Sequence, residues 1–372
     1  MGRKVLIVGG AGFIGSHLAD ELLEQGHRVR ILDNLDLQVH GDDATRPDYL
    51  DSEAELTVAD VRDAIAVERA LHGVEVVYHL AAAVGVGQSM YEISRYSSVN
   101  CLGTAVLLEA IIRNPVERLI VASSMSVYGE GSYRNSDGHI VAQARRDVLR
   151  LTDHEWELTD DVGRQLTPMP TSEAKAPEPS SVYALLKYNQ ERTCLCVGEA
   201  YKIPTVALRF FNAFGSRQAL SNPYTGVMAI FAARLLNGES PLIYEDGGQL
   251  RDFVSVRDVS RACRLAMESE RAIGQVFNVG SGSACAVLEL AERMASVLGR
   301  SNIKAQVTRK YRVGDIRHCF ADISRAQNIL GFQPKVSLEQ GLVELAEWLA
   351  GQVALDRVAQ AGAELAHRGL AL

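Results

Sequence analysis

Residues 4–16 decide the fold, and they read KVLIVGGAGFIGS. A short apolar run leads directly into glycines at positions 9, 12 and 15, and apolar residues at helical spacing begin at Phe13. In such a unit the first glycine permits a tight turn and the second lets the backbone approach a pyrophosphate. The third lets the helix pack closely on the strand. The stretch therefore predicts a dinucleotide site, with the phosphates at the amino terminus of the helix.

The chain beyond this unit alternates short β-branched runs with longer amphipathic segments. The first part predicts strands at residues 4–8, 28–32, 55–59, 74–79 and 118–123, and helices at 13–25, 63–71 and 99–114. Later residues predict helices at 182–201, 226–236, 259–269, 287–298 and 324–330, and strands at 205–210, 252–254 and 275–279. This alternation predicts βαβ units and hence an α/β fold, a Rossmann-like doubly wound parallel sheet with helices on both faces.

The composition excludes several classes of protein. Of 372 residues, 47% are hydrophobic and 23% are charged, which is ordinary for a globular protein and excludes a disordered or fibrous one. The net charge of -8 argues against a nucleic-acid or membrane partner, and no apolar run is long enough to span a membrane. The six cysteines form no Cys-x-x-Cys pair and no signal peptide is recognisable, so we expect no metal site and a cytoplasmic location.

Residues at the ends of the next strands support the dinucleotide site. Asp33 ends the second predicted strand 18 residues after Gly15, where a carboxylate would hydrogen-bond an adenine ribose. The same charge would repel a 2′-phosphate, so the sequence favours NAD over NADP. Asp60 and Val61 follow the third strand and could border the adenine, and residues after the fourth strand would let the cofactor pass close: Leu80, Ala81 and Ala82.

A second pattern concerns catalysis. Tyr183 and Lys187 stand four residues apart near the start of a predicted helix and therefore share one face. A nearby ammonium favours phenolate, which predicts a lowered tyrosine pKa and a general base. The spacing alone also fits a solvated helix face. Ser124 favours the catalytic interpretation, because it lies at the carboxyl end of a parallel strand, where ligands of such sheets bind.

With these motifs the sequence resembles the extended short-chain dehydrogenase/reductase family, and within it the nucleotide-sugar epimerases and dehydratases, from Gly9 to about residue 350. The resemblance implies that Ser124, Tyr183 and Lys187 form a catalytic triad. It also implies a set of NAD contacts at the glycine turn and the strand ends: Gly9, Gly12, Phe13, Ile14, Gly15, Asp33, Asn34, Asp60, Val61, Leu80, Ala81, Ala82, Tyr183, Lys187 and Phe210.

The resemblance places a nucleotide-sugar site in the C-terminal third. Arg251, in the run GQLRDF, and Arg312, in the run RVGD, match arginines that hold a diphosphate. Guanidinium groups suit phosphate because they donate two parallel hydrogen bonds. The remaining implied substrate contacts are Asp315, on the nucleotide ribose, and Asn212, Tyr244 and Ser124.

These assignments predict how the chain is divided. We expect an NAD-binding domain over residues 1–208, with a surface insertion at 130–171 that resembles a lid, and with its sheet completed by part of 252–275. A smaller substrate domain over 209–350 would be interleaved with it, and a tail helix would occupy 351–372. The relatives pair through helices that correspond to 99–114 and 182–201, so the resemblance implies a homodimer.

The resemblance also bears on the reaction. Relatives that dehydrate a sugar carry Asp-Glu directly after the triad residue, and those that decarboxylate carry a glutamate there. This chain has Met125 and Ser126, which cannot act as acid or base near neutral pH. What remains is an unassisted cycle, in which the sugar is oxidised at carbon 4, the ketone rotates, and the hydride returns to its other face.

The expected activity is therefore that of a 4-epimerase that retains NAD and acts on a dTDP- or UDP-linked sugar. The runs at 221–227 and 244–247 are most similar to those of dTDP-L-rhamnose 4-epimerases. A UDP-hexose or UDP-hexuronate is the alternative substrate. A dehydratase or dehydrogenase of the same family, or a non-enzymatic NAD-binding sensor, is the alternative function.

Overall fold

A parallel sheet of seven strands runs through the molecule. The computed structural model describes residues 2–41, 45–141, 143–219, 226–312, 314–350 and 364–370. The strands are β1 (Lys4–Val8), β2 (Arg28–Asp33), β3 (Glu55–Val58), β4 (Val76–His79), β5 (Arg118–Ser124), β6 (Ser132–Arg134), β7 (Ile140–Val141), β8 (Thr167–Met169), β9 (Thr205–Phe210), β10 (Asn212–Phe214), β11 (Leu242–Ile243), β12 (Leu250–Arg251), β13 (Phe253–Ser255), β14 (Val276–Val279), β15 (Cys285–Ala286), β16 (Gln306–Val307) and β17 (His318–Cys319).

Helices cover both faces of this sheet and form much of the C-terminal part. They are α1 (Phe13–Glu24), α2 (Leu37–His40), α3 (Ala64–Leu71), α4 (Val86–Ser89), α5 (Ile93–Ser97), α6 (Gly103–Arg113), α7 (Val148–Thr152), α8 (Val182–Tyr201), α9 (Val227–Leu236), α10 (Val256–Glu268), α11 (Val287–Val297), α12 (Ser324–Leu330) and α13 (Leu338–Leu349). Within the described ranges, no helix combines the length and the apolar character that crossing a bilayer requires.

The strand order of the sheet is β14-β9-β5-β4-β1-β2-β3, and every pairing in it is parallel. The predicted Rossmann-like fold is confirmed. From β1 the chain adds strands on one side, and from β4 it adds strands on the other, so the direction of winding reverses between these two strands. Ligands of open α/β sheets bind at the carboxyl ends of the strands beside such a reversal.

The two faces of the sheet bury separate hydrophobic clusters, because successive side chains of a strand point to opposite sides. In β1, Val5 and Ile7 join one cluster, which α1 and α10 cover. Leu6 and Val8 join the other, which α3, α6 and α8 cover. A third cluster lies in the C-terminal part, between α9, α11 and α13. A β1 strand buried on both faces explains why its sequence is a continuous apolar run.

One strand lies elsewhere than predicted. β13 pairs with β10 in a separate two-stranded sheet, so the expectation that a strand near residue 253 returns to the main sheet, and that part of 252–275 completes it, is wrong. The completing strand is β14, and the segment 252–275 contributes α10, which packs against α1. The buried carboxylate of Asp252 explains the placement, because it accepts hydrogen bonds from the amides of Ser281 and Gly282, just beyond β14.

Two further regions differ from their predictions. The helix predicted at 99–114 begins as a π-helical turn, Ser98–Leu102, before α6. The turn ends at Gly103, where a Cβ would lie 2.5 Å from the side chain of Val61. The insertion at 130–171 is more regular than its polar composition suggests, because β6 pairs with both β7 and β8. Residues 351–363 and 371–372 of the predicted tail helix lie outside the described residues, as do 221–225 of the run at 221–227.

Candidate active site

A cavity of about 510 Å³ opens beside the carboxyl ends of β1 and β4. Its lining contains every residue that the resemblance implies for NAD, and also Ser124 and Asn212. These residues come from the glycine turn, from β2 to β5, from α8 and from β9. The fold thus brings together residues separated by about 200 positions of sequence, at the sheet edge where the reversal of winding predicts a ligand.

The three glycines of the first turn differ in what surrounds them. Gly9 has a φ of +84°, and a Cβ on it would lie 2.7 Å from the amide nitrogen of Ala81. A Cβ on Gly15 would lie 2.4 Å from the carbonyl oxygen of Gly9. At Gly12 the nearest atom is 3.7 Å away, so the protein itself does not require glycine there. The open side of Gly12 lines the cavity, which fits the close approach of a pyrophosphate to the backbone.

The amino terminus of α1 is also suited to a phosphate. No side chain caps its first turn in the described part of the chain. The first amide groups of a helix have no acceptor within it, and they carry the positive end of the helix dipole. Gly12, Phe13 and Ile14 line the cavity at this end of the helix. The donors and the space of the turn therefore fit a dinucleotide.

The carboxylates of the cavity lie at or just after the ends of β2 and β3. Asp33 is held by the amides of Ala11, at 3.0 Å, and Leu35, at 2.9 Å. Asp60 bonds the guanidinium of Arg62, which lowers the pKa of the aspartate. With Asp36, these are the described carboxylates of the lining. A negatively charged end of this kind fits ribose hydroxyls and disfavours an additional phosphate.

The predicted triad converges on the same cavity. α8 begins at Val182, with the Ser181 hydroxyl accepting from the amide of Ala184, and this places Tyr183 and Lys187 on its buried side. Ser124 ends β5, and its hydroxyl is 2.5 Å from that of Ser126. A hydrogen bond from Ser124 lowers the pKa of the Tyr183 phenol, but burial has the larger effect and the net shift is upward. Burial lowers the pKa of Lys187 to about 8.

The pKa of Tyr183 therefore contradicts the lowered value that its spacing from Lys187 predicts. Burial removes water from the phenolate, and this disfavours the charged form. The ammonium of Lys187 donates to the side-chain oxygen of Gln190, at 2.7 Å. Within the described ranges this is its one hydrogen bond to protein. The spacing predicted the shared face correctly but not the surroundings that set the pKa.

A buried ion pair supports the triad from below. Glu191 accepts two bonds from the guanidinium of Arg209, at 2.8 and 2.7 Å, and one from Ser123, at 2.6 Å. Arg209 also stacks on the ring of Tyr128, 4.7 Å from its centre. These contacts join α8 to β5 and β9. These contacts were not predicted from the sequence, although the arginine inside the apolar strand TVALRF indicates that Arg209 has a buried partner.

The part of the cavity nearest Ser124 is apolar. Met125, Phe211, Phe214 and Met228 line it, and Asn212 adds an amide that donates to the carbonyl of Asp252 at 2.9 Å. Met125 and Ser126 are both in the lining, so the positions after the triad serine do face the site. They carry a thioether and a hydroxyl, and all described carboxylates of the lining are at the Asp33 end.

A second cavity, of about 540 Å³, lies between the insertion and residues 311–316. Arg312 and Asp315 line it together with Arg145 and Arg146 of the insertion. Arg312 stacks over the ring of Tyr244, 4.2 Å from its centre. The structure thus brings three of the predicted substrate residues into one neighbourhood.

Arg251 is held differently from what a phosphate contact requires. Its guanidinium donates to the backbone carbonyls of Leu250, Ile316 and Arg317, at 2.7 to 3.0 Å, and it lines neither cavity. It therefore ties β12 to the segment that carries Asp315. Its contact with a diphosphate stays a prediction.

The insertion is fastened to the C-terminal part by buried ion pairs. Arg317, whose side chain is 1% exposed, bonds Glu157 of the insertion and Glu245. His318 lies 2.9 Å from the same Glu157. Arg146 bonds Glu245 at 2.6 Å. These contacts hold the insertion, whose Arg145 and Arg146 line the second cavity, against the C-terminal part.

The chain matches the model of the NAD dependent epimerase/dehydratase family over residues 5–145 and 159–280, and it belongs to that family. The resemblance read from the sequence is confirmed. The chain is similar to the dTDP-L-rhamnose 4-epimerase of Burkholderia thailandensis, with 38% identity over 361 residues, 96% of this chain and 97% of the relative.

Solved structures of the same family are also similar. One is the UDP-glucose 4-epimerase of Thermotoga maritima with UDP-glucose, at 32% identity and a TM-score of 0.75, covering 93% of this chain and 98% of that one. Another is the UDP-glucuronic acid 4-epimerase of Bacillus cereus with UDP-glucuronic acid and NAD, at 27% identity and a TM-score of 0.76, covering 93% and 99%.

Proposed function

We propose that this protein is an isomerase, an NAD-dependent nucleotide-sugar 4-epimerase. The observation that carries the proposal is the meeting of Ser124, Tyr183 and Lys187 in one cavity, with Met125 and Ser126 beside them. The triad can move a proton to and from a hydroxyl. The two neighbouring side chains offer no acid or base for elimination. After a sugar is oxidised at this site, the reaction left to the resulting ketone is therefore reduction back to an alcohol.

The residues of the chain have distinct roles in this cycle. NAD held by the residues of the first cavity would supply the hydride acceptor and donor for carbon 4 of the sugar. Tyr183, as phenolate, takes the proton of the carbon 4 hydroxyl and later gives it back to the oxygen. Ser124 donates to the substrate oxygen, and we assign to Lys187 the positive charge that offsets the burial raising the pKa of the Tyr183 phenol. Since proton and hydride both return, the reaction needs no net oxidant.

We assign the cofactor to the first cavity, with the pyrophosphate at Gly12 and the amino terminus of α1. Asp33 would hold the ribose hydroxyls of the adenosine, and Asp60 and Val61 would border the adenine. The remaining predicted NAD contacts line the same cavity and support this assignment.

The proposed substrate is a dTDP- or UDP-linked sugar. The 38% identity to a dTDP-L-rhamnose 4-epimerase favours the dTDP sugar, and two UDP-sugar epimerases of similar structure keep UDP sugars as the alternative. Arg312 and Asp315 would bind the diphosphate and the nucleotide ribose, with Tyr244 beneath Arg312. Arg251 would assist at the diphosphate, and Asn212 would bind the sugar.

The test uses the purified protein without added cofactor. NAD released by heat denaturation is first assayed in the supernatant, and native protein is then incubated with a panel of dTDP- and UDP-sugars. We expect bound NAD and interconversion of 4-epimers, with no steady absorbance of NADH. Accumulating NADH would identify a dehydrogenase, a 4-keto-6-deoxy sugar would identify a dehydratase, and inertness would favour a sensor.

Tyr183→Phe is the matched control for this assay. It removes the transferable proton and leaves the ring in place, so we expect NAD to stay bound while kcat falls by about 10²–10⁴-fold. A variant with normal turnover would contradict the role assigned to Tyr183.

Three further proposals concern the assembly, the location and the domains of the protein. We propose a homodimer formed through α6 and α8. We propose a cytoplasmic location, supported by the six cysteines, all described and all free thiols. We also propose that residues 1–208 and β14 form the NAD-binding domain, that 209–350 form most of the substrate domain, and that 351–372 form a tail.

A further inference from the structure

Lys187 is buried together with the side chain that holds it. Lys187 is 3% exposed and Gln190 is 1% exposed, and the ammonium donates to the amide oxygen at 2.7 Å. The two residues are three positions apart on α8, so they lie on one face of the helix. Within the described ranges no other protein atom accepts a hydrogen bond from this ammonium. Gln190 therefore fixes the position of Lys187 relative to Tyr183.

The orientation of the Gln190 amide is set by groups on two other elements. Its nitrogen donates to the hydroxyl of Thr104 at 2.9 Å and lies 3.2 Å from His79 Nε2. Thr104 in turn donates to the carbonyl of Asn100 at 2.6 Å, which leaves its oxygen free to accept from Gln190. If the amide were turned over, its nitrogen would face an ammonium and both groups would be donors. The network therefore presents oxygen to Lys187.

The charges around Lys187 leave its own charge uncompensated. Burial lowers the pKa of His79, on β4, to about 3, so this imidazole is neutral. Glu191 and Cys194, on α8, both favour the ammonium, but Glu191 is itself paired with Arg209 of β9, and burial raises the pKa of the Cys194 thiol to about 12. Tyr96, on α5, is also neutral, because burial raises the pKa of its phenol.

Because the Gln190 amide is neutral, its hydrogen bond to Lys187 differs in its electrostatic effect from one made by a carboxylate. An amide oxygen accepts the hydrogen bond but adds no negative charge, so it leaves the charge of the ammonium available to the phenol of Tyr183, four residues earlier on the same face of α8. A glutamate at the same position would hold the ammonium as an ion pair and cancel much of that field.

We propose that Gln190 is a positioning residue, which holds the ammonium of Lys187 in place beside Tyr183 without neutralising its charge. The proposal rests on the roles that the proposed function gives to Tyr183 and Lys187. It goes beyond that function because it assigns the electrostatics of the site to a residue that touches neither the sugar nor the cofactor.

The test compares Gln190→Glu and Gln190→Met with the wild type. Gln190→Glu keeps the shape and the acceptor for Lys187, and its second oxygen can accept from the Thr104 hydroxyl or from the other tautomer of His79, so we expect it to fold and to bind NAD. Pairing would raise the pKa of both Lys187 and Tyr183. We therefore expect both limbs of the pH profile of kcat to move to higher pH, with kcat near pH 7 about tenfold lower.

Gln190→Met removes the acceptor with little change in volume. We expect kcat to fall at every pH, with KM for the sugar and the content of NAD unchanged. Asn189→Glu is the matched control, because Asn189 is the exposed neighbour of Gln190 on the same helix turn. The control should leave the pH profile where it is in the wild type.

A measurement without substrate separates this proposal from the proposed function. The ultraviolet absorbance of the Tyr183 phenolate is titrated as the difference between each protein and the same protein carrying Tyr183→Phe. We expect the titration to move to higher pH in Gln190→Glu and to stay in place in Asn189→Glu. A Gln190→Glu titration superimposed on the wild type would overturn the proposal, whether or not any nucleotide sugar is turned over.

Discussion

Gly12 and Gly15 lie in the same turn, but a methyl group meets different surroundings at each. In Gly15→Ala the Cβ would lie 2.4 Å from the carbonyl oxygen of Gly9, and the helix would have to move away from the strand. We expect this variant to lose about 1–3 kcal/mol of unfolding free energy, measured by denaturant on the protein freed of NAD.

Gly12→Ala is the companion of that substitution. Its Cβ would find no atom closer than 3.7 Å, so we expect the stability of the NAD-free protein to change by less than about 0.5 kcal/mol. The methyl group would instead occupy space in the cofactor cavity, and the amount of NAD that co-purifies should fall. Equal stability of the two variants, or full NAD content in Gly12→Ala, would show that the roles of the glycines are assigned wrongly.

At the scale of single residues, the sequence predicted where the residues of the site lie better than it predicted what surrounds them. Spacing singled out the glycines, Asp33 and the Tyr183–Lys187 pair, all of which line one cavity, because each depends on the local period of a strand or a helix. It did not reveal Gln190 or the pairing of Glu191 with Arg209, since polar residues on a helix are ordinarily exposed. Their partners come from distant strands, and a single sequence does not show which polar residues a neighbouring strand will bury.

The insertion at 130–171 is the element for which the structure differs most from what the sequence suggested. Its polar composition suggested a mobile lid, and the structure instead fastens it through Glu157 to Arg317 and His318. The pKa of Glu157 is lowered overall, by hydrogen bonds from His318 and Arg317 that outweigh burial, and Arg317 likewise lowers the pKa of Asp246. Composition did not reveal this, because the partners stand about 160 residues later in the chain.

These two pKa shifts predict how the insertion responds to acid. A carboxylate with a depressed pKa binds fewer protons in the folded than in the unfolded state, so its contribution is present at neutral pH and is lost as pH falls. We expect the amides of residues 130–171 to be protected from hydrogen exchange from about pH 8 to pH 5. Protection should fall below about pH 4, before the central sheet opens.

Glu157→Gln tests the cause of that response. At pH 7 it removes the charge that Arg317 and His318 share, and we expect exchange in the insertion to accelerate as if about 1–3 kcal/mol had been lost locally. Glu155→Gln is the control, because Glu155 pairs with Arg150 in an exposed position within the insertion. Identical exchange in Glu157→Gln and the wild type would mean that other contacts fasten the insertion.

At the scale of the whole molecule, the proposed dimer offers a test of its own. α6 and α8 pack side by side on one face of the sheet. Leu102, at the end of the π-helical turn before α6, and Leu185 of α8 are 53% and 57% exposed. Burying these side chains against a second copy would stabilise a dimer. We expect Leu185→Glu to weaken self-association at least about tenfold, because it would bury a charge in the interface.

Sedimentation of the purified proteins measures this effect. Leu149→Glu is the control, because Leu149 is 74% exposed on the insertion, away from the proposed interface. It should sediment as the wild type does. A wild type that sediments only as a monomer, or a Leu185→Glu that associates normally, would contradict the proposed interface.

The sequence predicted the class of fold, but it did not predict which strands belong to the main sheet. Seven strands, all parallel, agree with the alternation of strands and helices. β13 has three residues, and a strand of that length carries no pattern that distinguishes the main sheet from a separate pair with β10. Strand pairing is decided by tertiary contacts. Here the carboxylate of Asp252 accepts hydrogen bonds from the loop after β14.

The position of β14 bears on how the chain is made. This strand closes the edge of the sheet by pairing with β9, yet the short strands β10 to β13 and the helices α9 and α10 lie between them in the sequence. During synthesis β9 leaves the ribosome with one edge unpaired, and it keeps that edge until residue 279 has followed. A nascent chain that ends near residue 208 also lacks α10, which covers one face of the sheet. The dinucleotide cleft begins at β1, and its scaffold closes only when β14, about 270 residues later, has been made.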